Sequence, residues 1–329
     1  MAEFNFLSMV VPVEEKDLEA FVNSLTNEDV KVYGQLFLEN VLTIYNMLSL
    51  PAAFMSAAVM YAQFEMYLLN HLLDNGYSLQ QARGLLNVPV DKRNRIVLEV
   101  MEQIQRDRFD ERMKETRNKK YKAIEREFTK ESNDIAQGLL AHYYSAISLT
   151  WTTFESIAAD LWTSLVNKEP KKYGQKAFQV DSSEAAKQRG EIALKQPEGL
   201  SGKQIQFSLL AEYDFDLKDK MGTILKEKFD FTGVTGMVTA YAAIFPEKRE
   251  DIKKVLDKPE LNLLMKTRNL IAHKAGIVDS IFIRETKSWN PPPVTLGEPL
   301  GLDEKQTAKF ILTGIMAGME LIKLVDAIA

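Results

Sequence analysis

The chain has 329 residues, 46% of them apolar, enough material for one large or two ordinary hydrophobic cores. With 41 Lys+Arg against 46 Asp+Glu the formal charge is -5, so no overall basic excess marks a nucleic-acid binder and an anionic partner must be met by a local patch. Cysteine is absent, which excludes disulfides, thiolate metal sites and a cysteine nucleophile and fits a reducing cytoplasm.

From the N-terminus, Met1-Ala2-Glu3-Phe4-Asn5-Phe6-Leu7 carries an early acid and lacks a basic region followed by a long apolar core, so no signal peptide is expected. The apolar stretch 135–166 is interrupted by His142, Glu155 and Asp160, which a bilayer span of ~20 residues would not tolerate. A soluble, cytoplasmic protein without a membrane partner is the expectation. Apolar residues recur at spacings of three and four, and sustained period-two alternation is scarce, which predicts an all-α fold. The predicted helices cover 13–25, 28–48, 52–74, 91–131, 135–167, 213–229, 235–244, 258–275 and 304–328, with Pro51, Asn75-Gly76, Pro89, Gly199 and Pro291-Pro292-Pro293 falling between them.

Residues 91–130 hold 13 Lys+Arg and 9 Asp+Glu beside a thin apolar line at Ile96, Val100, Ile104, Phe109, Met113 and Ile124. A long exposed helix accounts for this, with acid-to-base pairs such as Glu102 with Arg106 and Asp110 with Lys114 in the favourable order four residues apart. It reads as a solvated strut or coiled-coil-like arm, or as a basic rail for RNA. Residues 168–203 set eight cations against five acids, with Pro170, Pro197 and several glycines, and read as a linker or a substrate-holding loop. Tyr61-Ala62-Gln63-Phe64-Glu65 echoes Trp151-Thr152-Thr153-Phe154-Glu155, either as an internal duplication or as chance in an amphipathic helix.

The chain has three histidines, His71, His142 and His273. His71 lies among Met66, Leu68, Leu69, Leu72 and Leu73, and His142 beside Tyr143 and Tyr144, so both read as satisfied core or interface histidines. His273 lies in a different setting. Asp257-Lys258-Pro259-Glu260 has the pattern of a helix start, with Asp257 as N-cap and Glu260 at the capping-box position, and Gly276 the pattern of its stop. Leu261, Leu264, Leu270 and Ile271 would anchor that helix, leaving Arg268, Asn269 and His273 to border one groove. These groups suit phosphodiester chemistry: cleaving RNA without a metal needs a base for the 2′-hydroxyl, a cation for the phosphorane and an acid for the leaving oxygen. Arg268 can hold phosphate bidentately, Asn269 can orient the imidazole, and the negative end of the helix dipole beside His273 attracts cations. One catalytic histidine is short of an acid and a base, so two chains are expected to share a cleft. No glycine-rich phosphate loop is present, since Gly222 and the pair Gly233 and Gly236 lack the lysine and hydroxyl it requires, and no metal or other cofactor is expected.

The run Leu263-Leu264-Met265-Lys266-Thr267-Arg268-Asn269-Leu270-Ile271-Ala272-His273-Lys274-Ala275-Gly276-Ile277-Val278-Asp279 resembles the R-N-x-x-x-H signature of HEPN domains and its following turn. Upstream, Trp151-Thr152-Thr153-Phe154-Glu155 is similar to that family's opening helix, and Lys218-Asp219-Lys220-Met221-Gly222 through Phe231 to the next. The resemblance implies a HEPN-like helical bundle over 135–329, preceded by an N-terminal helical region over 1–134 that carries the long charged helix. It also implies a homodimer with Arg268 and His273 catalytic, Asn269 supporting, and a metal-independent endoribonuclease acting on RNA as a toxin or in antiphage defence, with an antitoxin or defence-system partner. Glu155 is a candidate for the cleft, with a buried or cap-satisfying carboxylate as the other reading. Lys274 stands where many relatives carry a different polar residue, which bears on substrate preference. Gly276 and Asp279 are expected to shape the turn. The alternative within the same resemblance is a catalytically silent scaffold or sensor that binds RNA, a nucleotide or a protein.

Overall fold

The computed structural model describes residues 13–74, 133–179, 200–201, 204–205, 212–214 and 216–329 together with the single positions 76, 78, 80, 98 and 102, giving the backbone alone at 51–71, 74, 133–136, 179 and the strand residues. The charged helix predicted at 91–131 and most of the connector at 168–203 lie outside them. The fold is all-α. In chain order the helices are α1 (Glu15–Asn23), α2 (Glu28–Asp74), α3 (Asn133–Lys168), α4 (Gln175–Gln179), α5 (Met221–Lys226), α6 (Val234–Ile244), α7 (Arg249–Leu256), α8 (Pro259–Lys274), α9 (Ser280–Thr286) and α10 (Glu304–Ile328). A two-residue antiparallel ladder pairs Leu200–Ser201 with Gln204–Ile205. Among the described residues no helix is long and apolar enough to cross a membrane.

The chain divides into two compact units, Met1–Leu7 with Met47–Leu139, and Ser8–Asn46 with Leu140–Ala329. This differs from a single boundary near residue 134: the described residues up to Asn46 group with the C-terminal unit, to which side-chain contacts join them. The Phe37 ring lies where a Cβ on Gly318 of α10 would be, 2.3 Å away. Asp326, near the end of α10, accepts the backbone N–H groups of Thr26 and Asn27 and the Thr26 hydroxyl, holding the turn before α2, and Asn27 in turn caps α2 by accepting the Asp29 N–H at 3.1 Å. Burial pushes the Asp326 carboxyl up, but these three donors outweigh it and hold its pKa below the ordinary value.

Within the second unit, α3 is the central rod, with Ile147, Trp151, Phe154, Leu161 and Trp162 fully buried. It is locked to α6 in both directions: the Trp162 indole donates to the Ala240 carbonyl at 2.8 Å, and the Tyr241 hydroxyl donates to that of Ala158 at 2.7 Å. Helix α10 begins with a full capping box between Asp303 and Gln306 and packs along α7 and α8. Gly314 makes that approach close, since a Cβ there would sit 2.4 Å from Thr150 of α3 and 3.2 Å from Leu264 of α8.

Four elements depart from the expected pattern. α2 runs through Pro51 rather than breaking there; proline costs one hydrogen bond, and the good helix formers Ala52, Ala53, Met55, Ala57 and Ala58 favour continuing the helix. The segment predicted at 213–229 shrinks to Met221–Lys226 because Asp214 and Asp219 take left-handed backbone, φ 49° and 57°, which interrupts the helix. Arg249–Leu256 and Ser280–Thr286, predicted as connections, are short helices.

Candidate functional site

Helix α8 buries Leu261, Leu263, Leu264, Thr267 and Leu270, and Ile271, one of the expected anchors, is half-buried. At ~100° and ~1.5 Å per residue, Arg268 and His273 lie ~140° apart around the axis and ~7.5 Å along it, flanking a strip that holds Asn269 and Ala272. Arg268 and Asn269 are half-buried, and His273 and Lys274 are exposed in the last turn. The Arg268 guanidinium donates through Nη1 to Asn269 Oδ1 at 3.1 Å. The amide oxygen of Asn269 is therefore used to brace the arginine rather than to orient the imidazole. His273 makes no hydrogen bond or ion pair among the described residues, so its ring is free to meet a ligand.

The start of α8 differs from expectation. Lys258 is the N-cap residue in extended backbone, φ −95° and ψ 137°, without a side-chain cap, and Pro259 opens the helix. Asp257 instead closes α7, because only two residues separate the helices, and it accepts from the Asn262 side chain at 3.2 Å. Glu260 remains in the first turn, where its charge suits the helix dipole. Lys258 bridges to Glu320 and so ties this end to α10.

The C-terminal end, which presents His273, is clamped more firmly. Ala275 takes the left-handed conformation, φ 52°, and Gly276 follows with φ 79°, both N–H groups returning to the Leu270 carbonyl. Gly276 thus stands at C′, where the sequence places it, one residue beyond the Ala275 C-cap. A Cβ on Gly276 would lie 2.3 Å from the Tyr144 ring, and the Tyr144 hydroxyl donates to Leu300 at 2.8 Å, whose own N–H returns to Gly276 at 2.8 Å. Val278 exchanges backbone bonds with Glu298 and Gly297, and Asp279 caps α9 through the Phe282 N–H at 2.8 Å. Burial raises the pKa of the Tyr144 phenol above its ordinary value, with the bond to Leu300 opposing it more weakly. Tyr144 is the residue sequence reasoning missed. Nothing in its local pattern tells that it packs under a turn 132 positions later.

Lys266 bridges to Glu285 at 2.6 Å, and Arg284 also approaches Glu285, at 3.6 Å, fixing α9 on the flank of α8. The Lys266 ammonium lowers the Glu285 pKa. Glu155 is half-buried and accepts from the Trp151 indole at 2.8 Å, four residues earlier on α3. No hydrogen bond or ion pair joins it to α8 among the described residues. His142 is half-buried on α3. Gly222 and Gly236 take close-packing positions against the carbonyls of Thr163 and Asp230. No group of three or more His, Asp or Glu side chains that could hold a metal ion is found among the described residues.

Comparison with protein-family models, curated proteins and solved structures found no match for this chain.

Two substitutions probe how α8 is held. Thr267 is fully buried and its hydroxyl has no hydrogen-bond partner. Thr267→Val keeps the shape and removes an unsatisfied group, so chemical denaturation is expected to show a gain of about 1 kcal/mol. Ala275→Gly relieves a left-handed alanine and is expected to gain about 0.5–1 kcal/mol by the same measurement, the greater freedom of unfolded glycine offsetting part of the relief.

Proposed function

We propose that this chain is a HEPN-type, metal-independent endoribonuclease that acts as a homodimer on RNA, in antiphage defence or toxin–antitoxin control. The observation that carries the reading is the state of the two ends of one motif: an exposed, unengaged His273 on a clamped helix terminus, and a half-buried Arg268 whose guanidinium is braced by Asn269. A braced guanidinium keeps most of its N–H groups for phosphate and loses little side-chain freedom on binding. An exposed imidazole can exchange protons with the ribose 2′-hydroxyl or with the leaving oxygen.

The reaction divides between two chains. His273 of one removes the 2′-hydroxyl proton as that oxygen attacks phosphorus. The 5′-oxygen leaves and takes a proton from the partner subunit's His273, giving a 2′,3′-cyclic phosphate and a 5′-hydroxyl end. The two Arg268 side chains neutralise the crowded phosphorane. Lys274, exposed beside the imidazole, is suited to a flanking phosphate, and Glu155, held by Trp151, takes no step.

Incubating the purified protein with RNA in excess EDTA tests this: cleavage with cyclic-phosphate and 5′-hydroxyl ends is expected, and intact RNA would remove the reading. A single copy carries one such imidazole, too few for both proton transfers, so the same residues in a lone chain would bind RNA without cutting it. That silent scaffold is the second reading, and RNA binding without cleavage, lost uniformly in Arg268→Ala, would favour it.

A further inference from the structure

The turn that closes α8 carries apolar side chains that the fold itself does not use. Ile277, just beyond the helix, is 39% exposed, Ile281 in the first turn of α9 is 51% exposed, and Leu296 is 63% exposed. The core beneath them is already filled by Val278, Phe282 and Leu300, all buried. Backbone bonds group the three exposed residues at one end of the unit. Ile277 pairs with Pro299, and the Gly297 N–H returns to Val278 at 2.9 Å, which sets Leu296 beside the start of α9. The Asp279 cap fixes that start. Single exposed apolar side chains are ordinary on a protein surface, whereas a group of them marks a contact.

This group adjoins His273. Ile277 follows it by four residues, and the Ile277 N–H returns to Lys274 at 2.9 Å, so the chain turns back tightly there. Both proton transfers of the proposed reaction act on oxygens of one phosphorus, each ~3 Å from its imidazole, so the two His273 rings must stand within about 10 Å of each other. Two copies that meet so closely also bring together the surfaces next to His273. Ala272, exposed between Arg268 and His273, leaves room for that approach. The rim charges suit a copy of the same surface. A two-fold axis sets each residue against a different one and returns the contact, so a rim of one sign would repel itself. Here Arg284, one turn past Ile281, and Glu298, bonded through its carbonyl to Val278, are both exposed and opposite in sign.

We propose that Ile277, Ile281 and Leu296 form the centre of a two-fold interface with a second copy of this chain, with Arg284 of one protomer facing Glu298 of the partner subunit. The choice of a second copy as the occupant rests on the nuclease reading, which needs two imidazoles in one cleft. The turn is already held by the Tyr144, Leu300 and Val278 bonds, so little ordering is lost on association.

Sedimentation of the full chain, with and without RNA, tests this. Wild type is expected to be a dimer, and Ile281→Asp and Leu296→Asp are each expected to raise the dimer Kd at least about 100-fold. Tm should not change, because both side chains are exposed. Val32→Asp, at an apolar residue 58% exposed on α2, is the control and should leave the dimer intact. The absence of cysteine allows a second measurement: Ile281→Cys gives each chain one thiol, and a short bis-maleimide should join two chains there and none in Val32→Cys. A wild type that is monomeric in both conditions overturns the proposal, as does a dimer that survives both aspartate variants or does not cross-link through Ile281→Cys. RNA cut by a dimer that tolerates both aspartates sinks this interface and spares the nuclease reading. A dimer that they break, in a protein that never cuts RNA, keeps the interface and removes the reading.

Discussion

His273→Ala is expected to lower RNA cleavage by at least about 10³-fold with no change in fold. The imidazole is exposed, makes no hydrogen bond or ion pair among the described residues and sits past the last buried residue of α8, so its removal takes away chemistry and little else. General acid–base catalysis by one positioned group is typically worth 10²–10⁴ in rate. Here one substitution removes both the base and the acid, because the two subunits carry the same change. Mixing gives the sharper measurement. If each cleft needs an imidazole from both chains, titrating wild type with excess His273→Ala should reduce activity as the square of the wild-type fraction. A linear fall would mean that each chain works alone. Arg268→Lys is expected to recover little of what Arg268→Ala loses, since an ammonium cannot reproduce the planar fork that Asn269 braces.

The parts of this site that were legible in the sequence are those fixed by local chemistry. The helix at 258–275 was readable because proline opens it, leucines repeat along it and a glycine follows it, and α10 because an uninterrupted apolar periodicity runs from Glu304 to Ile328. Where one residue type can serve two adjacent elements, local reasoning chose the wrong one. Asp257 has the chemistry of an N-cap but closes α7, and that helix was hidden because its eight residues give barely two turns of pattern. Long-range partners left no trace at all. Tyr144 beneath Gly276, and Asp326 holding the turn before α2, depend on how the helices stack. Asn269 was read as a support for His273 on spacing, yet the shorter reach to the neighbouring guanidinium decided the bond.

Gly236→Ala is expected to be the most damaging single methyl addition among the glycines of the core, costing about 3 kcal/mol or more. A Cβ on Gly236 would lie 1.9 Å from the Asp230 carbonyl oxygen and 2.7 Å from its carbon. Relief therefore requires the backbone at Asp230 to retreat, and three links oppose that. The Asp230 carboxylate accepts from both the N–H and the hydroxyl of Thr232, at 3.0 and 2.5 Å. The neighbours Phe229 and Phe231 both pack edge-on against Trp162, with ring centres 5.2 and 5.7 Å away. Trp162 is in turn bonded to Ala240 on the same helix as Gly236, so the strained carbonyl and the intruding methyl belong to one closed circuit. At a few degrees of Tm per kcal/mol for a domain of this size, the melting temperature should fall by about 6–12 °C. Gly138→Ala serves as the control, since nothing lies within 4 Å of its added methyl. A Gly236→Ala variant that melts with wild type would mean that the 229–232 turn moves freely, and the account of how α3 and α6 are joined would have to be abandoned.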